Sequence, residues 1–326
     1  MKVLVLGGAG YIGSHMCKML AQHNHDIVVF DNLSTGHKEA VKWGRLIVGD
    51  VLNKADLVTL FSQHGPFDLV MHFCAKSLVG ESVQHPEIYY SNNVTGTLNL
   101  LHAMVETGHD KLVFSSTAAV FGIPSVDLID ESQPRLPINP YGQSKKMVED
   151  ILKDFYHAYG LKSVCLRYFN ACGADPEGEI GERHEPETHL IPNILKSVLG
   201  ESEHRLKVFG DDYHTDDGTC IRDYIHINDL AAAHLLAGEY LHNHDGVFAF
   251  NLGNGKGFSV LEVINAAIEV VGKTISYDIE ERRDGDPAIL VADATQANKQ
   301  LHWQPQYTTI NDIIVSAWRW HKNEKF

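Results

Sequence analysis

Short apolar runs and stretches of helical periodicity alternate along the first half of the chain. The apolar runs predict strands at 3–6, 26–30, 46–48, 67–73, 111–114 and 164–168, and helical patterns cover 14–20, 87–106 and 141–159. Runs that are apolar throughout are typical of parallel strands, because helices cover both faces of a parallel sheet. The alternation therefore predicts an α/β fold with a doubly wound parallel (Rossmann) sheet.

The pattern loosens beyond residue 169. A polar stretch at 175–188 precedes predicted helices at 190–199, 228–241, 260–271, 295–301 and 310–321, with predicted strands at 206–209 and 248–251. We predict a first domain at residues 1–168 and, at residues 169–326, mainly a smaller α/β lobe. Segments near 219–251 resume the α/β pattern, and we expect these segments to return to the first domain.

Composition excludes several classes of partner. The formal net charge is −15 and no basic run interrupts it, which argues against nucleic acid and anionic membranes as partners. No segment approaches the roughly 18 apolar residues of a membrane span. The five cysteines are scattered and form no C-x-x-C pair, as is typical of a reducing compartment. We therefore expect a cytoplasmic protein.

A glycine-rich turn follows the first predicted strand. Gly7, Gly10 and Gly13 form a G-x-x-G-x-x-G pattern between a strand and a helix, where backbone N–H groups can approach a pyrophosphate. Asp31 ends the next strand, where a carboxylate accepts hydrogen bonds from a ribose and repels a 2′-phosphate. The pattern predicts a dinucleotide site that favours NAD over NADP.

Polar residues also follow the next strands. Asp50 is placed either to meet an adenine amino group or to cap a turn. Ser115, Ser116 and Thr117 follow the fifth strand, where their hydroxyls either bond a substrate hydroxyl or cap turn backbone groups. Because the carboxyl ends of parallel strands form one edge, the cofactor and the substrate should meet there.

Tyr141 and Lys145 lie one helical turn apart, directly after Pro140, which suits a first helical turn. A free tyrosine has a pKa of about 10, and a phenolate base near neutral pH needs a pKa several units lower. Each unit corresponds to about 1.4 kcal/mol of interaction that favours the phenolate over the phenol. A neighbouring ammonium shifts the phenol pKa in that direction. Taken alone, the pair would be an ordinary helix feature, and the rest of the pattern makes it a candidate base.

Together these features match the extended short-chain dehydrogenase/reductase superfamily in order and spacing. Within it, the chain most resembles the UDP-glucose 4-epimerase family over its whole length. The motifs that carry this resemblance are Gly7-Gly8-Ala9-Gly10-Tyr11-Ile12-Gly13-Ser14, Asp31-Asn32-Leu33, Val79-Gly80-Glu81-Ser82, Asn92-Asn93-Val94, Arg167-Tyr168-Phe169-Asn170, Arg222-Asp223-Tyr224-Ile225-His226 and Arg283-Asp284-Gly285-Asp286.

The resemblance implies an NAD-dependent isomerase that interconverts UDP-glucose and UDP-galactose through a 4-keto sugar. It gives Tyr141 the role of base, Thr117 a hydrogen bond to the same sugar oxygen, and Lys145 a bond to the nicotinamide ribose. It also implies a homodimer in which the 87–106 helix pairs with the Tyr141 helix. The first domain would bind NAD and the second lobe the UDP-sugar.

The resemblance further assigns contact residues. Those for the cofactor are Gly7, Gly10, Tyr11, Ile12, Gly13, Asp31, Asn32, Asp50, Val51, Phe73, Ala75, Lys76, Asn92, Ser115, Tyr141, Lys145 and Tyr168. Those for the substrate are Thr117, Tyr141, Asn170, His189, Leu190, Val208, Phe209, Arg222, Tyr224, Arg283, Asp286 and Leu290. Arg222 and Arg283 suit a diphosphate, or else form surface ion pairs with Asp223 or Asp284.

Three positions depart from the family pattern. Ser77 stands where the family usually has a lysine, so either Lys76 or Ser77 reaches the pyrophosphate. Leu290 replaces a tyrosine that narrows the sugar pocket in some members, and a smaller wall predicts room for an N-acetylated sugar. His189 stands where an asparagine is sometimes found.

Other readings compete with this one. A 4,6-dehydratase needs an acid pair after Thr117, and Ala118-Ala119 stands there instead. A 4-epimerase of UDP-glucuronate or of a UDP-pentose, and a non-catalytic NAD-binding regulator, remain open. His184 and His189 lie in a polar stretch without an H-E-x-x-H helix, so we expect no metal site.

Overall fold

A seven-stranded, all-parallel sheet forms the centre of the molecule. The computed structural model describes residues 1–200, 205–283 and 286–326. The strands lie in the order β11-β7-β5-β4-β1-β2-β3, so the chain reverses direction across the sheet between β1 and β4. Their bounds are β1 Lys2–Leu6, β2 Asp26–Asp31, β3 Arg45–Val48, β4 Leu69–His72, β5 Lys111–Thr117, β7 Lys162–Tyr168 and β11 Val247–Leu252.

Both faces of this sheet are buried, which explains the continuous apolar runs. Val3 and Val5 of β1 belong to one hydrophobic cluster, whereas Leu4 and Leu6 belong to another on the opposite face, and all four are fully buried. The helices are α1 Tyr11–Gln22, α2 Lys54–His64, α3 Val79–Gln84, α4 Pro86–Tyr89, α5 Gly96–Glu106, α6 Pro140–Tyr159, α7 Leu190–Leu199, α8 Ile227–Asn243, α9 Val260–Val271, α10 Thr295–Gln300 and α11 Ile310–His321. The predicted α/β parallel sheet is confirmed.

Smaller sheets are built mainly from the second half of the chain. β12 (Gly257–Ser259), β10 (Ile221–His226), β14 (Ile289–Ala292) and β6 (Leu128–Ile129) form one sheet, and β8 (Asn170–Cys172) also pairs with β10. β9 (Leu206–Phe209) pairs with β13 (Tyr277–Glu280). A third hydrophobic cluster, made by α7, α9 and α11, packs here.

Part of the second half returns to the large sheet. β11 pairs with β7 in parallel. α8 packs against α1 through residues of the hydrophobic cluster that contains Val3 and Val5. β10, in contrast, lies in the smaller sheet. The division at residue 168 stays a prediction.

Three local features differ from the sequence patterns. The helix predicted at 87–106 is divided by a wide turn of π geometry at Tyr90–Thr95. β5 extends to Thr117, so the hydroxyl cluster lies on the strand itself. The sequence patterns did not predict α2, which buries only Leu57, Leu60 and Phe61.

Within the described residues, no helix has both the length and the apolar character that a membrane crossing requires.

Candidate active site

The glycine-rich turn forms a tight backbone cradle between β1 and α1. Gly7 has a φ of +81°, which favours glycine, and a Cβ at Gly13 would lie 2.1 Å from the Gly7 carbonyl oxygen. Gly10 precedes α1 without a side chain to cap it, so first-turn N–H groups are free to face an anion. The turn therefore has the geometry of a pyrophosphate site.

Asp31 lies beside this turn. It is 8% exposed, and its carboxylate accepts hydrogen bonds from the Ala9 N–H at 2.9 Å and the Leu33 N–H at 2.8 Å. Burial raises the pKa of Asp31, and these two bonds partly offset the rise. Asp50 accepts bonds from the Asn32 amide at 3.0 Å and from the Leu52 N–H at 2.8 Å, so it does stabilise a turn. A contact between Asp50 and adenine stays a prediction.

The other predicted cofactor residues make the following contacts. The Tyr11 hydroxyl donates to the Gly173 carbonyl at 2.7 Å, and Ile12 packs on the cluster below α1. Val51 is buried, and the Ala75 N–H donates to the Phe73 carbonyl oxygen at 2.9 Å.

Asn93, which sequence reasoning passed over for Asn92, fixes the loop after β4. Its amide accepts from the Lys76 N–H at 2.9 Å and donates to the Lys76 carbonyl and to Ser144 Oγ, both at 3.0 Å. The Asn92 side chain donates to Asn93 Oδ1 at 3.0 Å. Asn93 is 2% exposed and therefore ties the Lys76 loop to α6, the helix of the candidate base.

Tyr141 and Thr117 come together because α6 begins close to the end of β5. The Asn139 side chain caps α6 by accepting from the Gly142 N–H at 2.8 Å. A Cβ at Gly142 would lie 2.4 Å from the Ala119 carbonyl oxygen, so glycine permits this close approach. Burial raises the pKa of Tyr141, whereas the Thr117 hydroxyl acts to lower it.

Lys145 is buried one turn further along α6. Its ammonium donates to the Ser115 carbonyl at 2.7 Å and lies 4.7 Å from the centre of the Phe114 ring. Burial lowers the pKa of Lys145 from 10.5 to about 8. Lowering of the Tyr141 pKa by this ammonium stays a prediction.

His234 supports the other side of the hydroxyl cluster, and sequence reasoning missed it. Its Nε2 lies 3.0 Å from Ser115 Oγ, and its Nδ1 lies 2.8 Å from the Leu230 carbonyl oxygen. Burial lowers the pKa of His234 to about 4, so the ring is neutral. Phe73 and Tyr168, both predicted cofactor contacts, flank the ring at centroid distances of 4.8 Å and 6.3 Å.

A buried charge network lies behind the candidate base. Glu149, two turns after Tyr141 on α6, accepts from Ser116 Oγ at 2.6 Å and from Arg167 Nε and Nη2 at 2.9 Å and 2.6 Å. Arg135 completes the network at 2.9 Å from Glu149 Oε2. Nothing in the sequence spacing pointed to Glu149 as part of the site. The network binds α6 to β5 and β7.

Of the two candidate arginines, Arg222 lies on β10 of a smaller sheet and Arg283 lies three residues after the end of β13. Arg222 pairs with Asp286 at 2.5 Å, and the Arg283 guanidinium lies 4.0 Å above the centre of the Phe209 ring. Asp223 does not pair with Arg222 as considered above. It is fully buried and accepts three backbone N–H bonds, and burial raises its pKa to about 6. Asp284 and Gly285 lie outside the described residues.

The other predicted substrate residues are placed as follows. Asn170 is opposite Tyr224 between β8 and β10, and its amide donates to the Asp223 carbonyl at 2.9 Å. Leu290 is opposite Arg222 and packs on the Val120, Phe121 and Ile129 cluster. Val208 and Leu190 belong to the third hydrophobic cluster, and His189 pairs with Glu182.

A doubly wound sheet with a glycine cradle, an acidic residue after β2 and a Thr–Tyr–Lys set defines a Rossmann-type NAD-dependent enzyme. The chain belongs to the NAD dependent epimerase/dehydratase family, whose profile matches residues 3–253. It is 51% identical to UDP-glucose 4-epimerase of Halalkalibacterium halodurans, over 99% of this chain and 96% of that one. It is 50% identical to UDP-glucose 4-epimerase of Rhizobium meliloti, over 98% and 96% of the two chains.

Solved structures agree with these relatives. UDP-glucose 4-epimerase from Brucella ovis in complex with NAD is 48% identical, with a TM-score of 0.94 and 97% coverage of both chains. The enzyme from Bifidobacterium longum in complex with NAD+ and UDP is 39% identical, with a TM-score of 0.94 and 99% coverage of both chains.

Proposed function

We propose that this protein is a UDP-glucose 4-epimerase that interconverts UDP-glucose and UDP-galactose. The observation that carries the proposal is the position of Thr117, Tyr141 and Lys145 at the carboxyl edge of the sheet that also carries the glycine cradle. The relatives near 50% identity over almost the whole chain support the same activity.

The residues present fit NAD. A Cβ at Gly13 would fill the cradle, and Asp31, at the end of β2, is an acceptor for a ribose hydroxyl and repels a 2′-phosphate. When bound, NAD supplies a reversible hydride acceptor for the carbon that changes configuration. Gly7, Gly10 and Gly13 would hold its pyrophosphate.

Tyr141 would accept the proton of the sugar 4-hydroxyl and return it to the epimeric alcohol. Thr117 would hold the same oxygen by a hydrogen bond. Lys145, with a pKa near 8, is mostly charged at neutral pH and would bond the nicotinamide ribose. The sugar is oxidised to a 4-keto form and then reduced on its other face, so no net redox change occurs.

The substrate nucleotide would bind at the second lobe. Arg222 and Arg283 supply two guanidinium groups to a diphosphate in a chain of net charge −15. The Arg222 pair with Asp286 fixes the first guanidinium, and the Phe209 ring supports the second. Asn170 and Tyr224 are cross-strand neighbours of this region.

The decisive experiment needs no added NAD. The purified protein is incubated with UDP-glucose and UDP-galactose is followed by proton NMR, with Tyr141→Phe and Tyr159→Phe in parallel. Tyr159 is on the same helix but 60% exposed, so it is a matched control. Loss of the base should lower kcat by about 10² to 10⁴-fold, while the control keeps it. Equal activity in all three proteins contradicts the assignment of Tyr141.

If wild type does not turn over UDP-glucose, two further assays distinguish the alternative functions. Bound NAD without turnover of UDP-glucose, followed by turnover of UDP-glucuronate or a UDP-pentose, identifies an epimerase of another sugar. Bound NAD without turnover of any UDP-sugar favours the non-catalytic regulator.

The same site predicts tolerance of an N-acetyl group. Leu290 is a partly exposed aliphatic side chain in a small apolar cluster, in place of the larger tyrosine of some family members. We expect Leu290→Tyr to reduce turnover of UDP-N-acetylglucosamine more than that of UDP-glucose. Undetectable turnover of the N-acetylated sugar by wild type, beside brisk turnover of UDP-glucose, refutes this idea.

We further propose a cytoplasmic homodimer with a role in galactose metabolism. All five cysteines are free, as expected in a reducing compartment. Val79 and Val83 of α3 are exposed apolar residues close to the predicted pairing helices, and the exposed Ile88 lies within the 87–106 segment itself. Light scattering should give twice the chain mass of 36.3 kDa, and a monomer at working concentration refutes the dimer.

A further inference from the structure

Four side chains between β8 and α7 converge in a way that the polar sequence did not predict. Glu182, His184, Glu187 and His189 each offer one ligand atom, and these four atoms lie within 4.8 Å of one another. We call these residues the 182–189 cluster. The pattern has neither the H-E-x-x-H spacing nor a helix, so only the folded loop shows it.

The two carboxylates of the cluster are buried. The side chains of Glu182 and Glu187 are 3% and 5% exposed, whereas those of His184 and His189 are 32% and 51% exposed. Glu187 Oε1 accepts from the Thr188 and His189 N–H groups at 2.8 Å and 2.9 Å, but the buried Oε2 has no hydrogen-bond partner among the residues that the structure describes. An unpaired carboxylate oxygen at this depth is costly, which indicates that a cation belongs there.

We propose that the 182–189 cluster binds one divalent transition-metal ion, with Zn²⁺ the ion that fits best. With neutral imidazoles the cluster carries two negative charges, which one divalent ion cancels. Mixed imidazole and carboxylate ligands suit Zn²⁺, and four protein ligands make a closed structural site. The inference does not rest on the epimerase assignment.

The distances already approach those of a tetrahedral site. Zinc bonds of about 2.0–2.2 Å place neighbouring ligand atoms about 3.3–3.6 Å apart. His184 Nδ1 lies 3.2 Å from Glu182 Oε1 and 3.8 Å from Glu187 Oε1. His189 Nδ1 is in contact with Glu182 Oε1 and would need to move outward, which its half-exposed ring allows.

A second acidic cluster provides an internal contrast. Asp175, Glu177 and Glu179 also converge, but the Lys18 ammonium lies among them at 2.8 Å, 2.5 Å and 2.7 Å. The Lys18 ammonium therefore occupies the position that a bound cation would take in this second cluster. Among the described residues, no lysine or arginine forms a salt bridge with Glu182 or Glu187.

The position of the cluster gives the metal a structural role. The His184 ring lies edge-on to the Tyr11 ring of the glycine-rich motif, 6.3 Å between centroids. The Trp320 indole donates to the Glu182 carbonyl at 3.0 Å, and α7 begins immediately after His189. A metal here would fix the 182–189 loop between α1, α7 and α11. His189 would then be a ligand and not a substrate contact.

The test uses the untagged full chain, because its 20 histidines make adventitious binding a concern. Protein stripped with a chelator and desalted is titrated with Zn²⁺ against a chromophoric chelator, and retained zinc is measured by mass spectrometry after gel filtration. His184→Gln, His189→Gln and Glu187→Gln each remove a ligand. His85→Gln is the matched control, since His85 lies 3.7 Å from Glu87 in an exposed pair.

We expect one Zn²⁺ per chain in wild type and in His85→Gln. Each ligand variant should bind zinc at least about 10- to 100-fold more weakly, the loss seen when even an outer-shell partner is removed. Co²⁺ added to stripped wild type should give the visible absorption of a tetrahedral site, a readout that needs no variant to fold. Substoichiometric zinc in wild type, or affinity unchanged by all three ligand variants, overturns the proposal.

Discussion

Substitution of Glu149 is the most direct test of whether the buried charge network stabilises the candidate active site. It is 2% exposed, and it holds Arg167, itself 5% exposed, through two hydrogen bonds. Glu149→Gln keeps the shape of the side chain but leaves the buried guanidinium without its counter-charge. Breaking a buried pair in this way costs about 3–5 kcal/mol of the free energy of unfolding.

This cost can be expressed as a melting temperature. Unfolding entropy is about 2.1 cal/mol/K per residue, so a chain of 326 residues has an unfolding entropy of about 0.7 kcal/mol/K. A loss of about 3–5 kcal/mol then lowers Tm by about 4–7 °C, which differential scanning calorimetry on the NAD-loaded protein resolves. Since the network joins α6 to β5 beside Thr117, kcat for UDP-glucose should fall as well.

Asp150→Asn is the matched control. Asp150 is the next residue on the same helix and bonds the same Arg135 at 2.5 Å, but its side chain is 42% exposed. Exposed ion pairs contribute only about 0–1 kcal/mol, so its Tm should fall by no more than about 1–2 °C. Equal shifts in the two variants would refute the argument from burial.

The network also predicts a pH dependence. Burial acts to raise the pKa of Glu149, but the hydrogen bond and charge of Arg167 and the Ser116 bond lower it below 4.5. The native state therefore holds fewer protons at Glu149 than the unfolded chain does as pH falls below about 4.5. The stability difference between wild type and Glu149→Gln should be complete above that pH and shrink as the pH drops further.

Four further predictions follow from the site. Gly13→Ala places a Cβ 2.1 Å from the Gly7 carbonyl oxygen and should abolish NAD retention. In the control Gly80→Ala, the new Cβ has no atom within 4 Å in the described structure, so this variant should retain NAD. The NAD that copurifies with each variant, measured after denaturation, distinguishes the two. Asp31→Ser should weaken NAD binding and improve the ratio of NADP to NAD affinity by calorimetry, since the repelling carboxylate is gone. In protein stripped of NAD, the Lys145 ammonium should titrate near pH 8. Because burial lowers this pKa from 10.5, the free energy of unfolding of wild type relative to that of Lys145→Met should rise between about pH 8 and 10.5, as measured by denaturant titration. In an ultraviolet titration of protein stripped of NAD, Tyr141 should ionise at a higher pH than a free tyrosine, because burial raises its pKa; Tyr141→Phe is the reference, and a tyrosinate at neutral pH would contradict the burial argument.

Much of the main sheet could be predicted because its chemistry is local in sequence. Glycines after β1, Asp31 after β2 and the hydroxyls at the end of β5 each follow an apolar run, and parallel strands bring these positions to one edge. Tyr141 and Lys145 share one helix, so their proximity follows from helical spacing alone.

The supporting residues could not be predicted in this way. His234 meets Ser115 across 119 positions of sequence, and Glu149 meets Ser116 across 33, so neither pair leaves a local pattern. Asn93 rather than Asn92 faces the Lys76 loop because the π turn at Tyr90–Thr95 changes the helical phase. The 182–189 cluster likewise depends on how one loop folds.

The pKa values at the site indicate how catalysis depends on the cofactor. Burial raises the pKa of Tyr141 and lowers that of Lys145, so desolvation favours the neutral form of both groups. A neutral phenol is not a base, and the Lys145 ammonium donates to the Ser115 carbonyl. In the reaction proposed above, oxidised NAD would add a positive charge that favours the phenolate. Binding of the cofactor and activation of the base would then be one event, which would explain why an enzyme with no net redox reaction retains its nicotinamide.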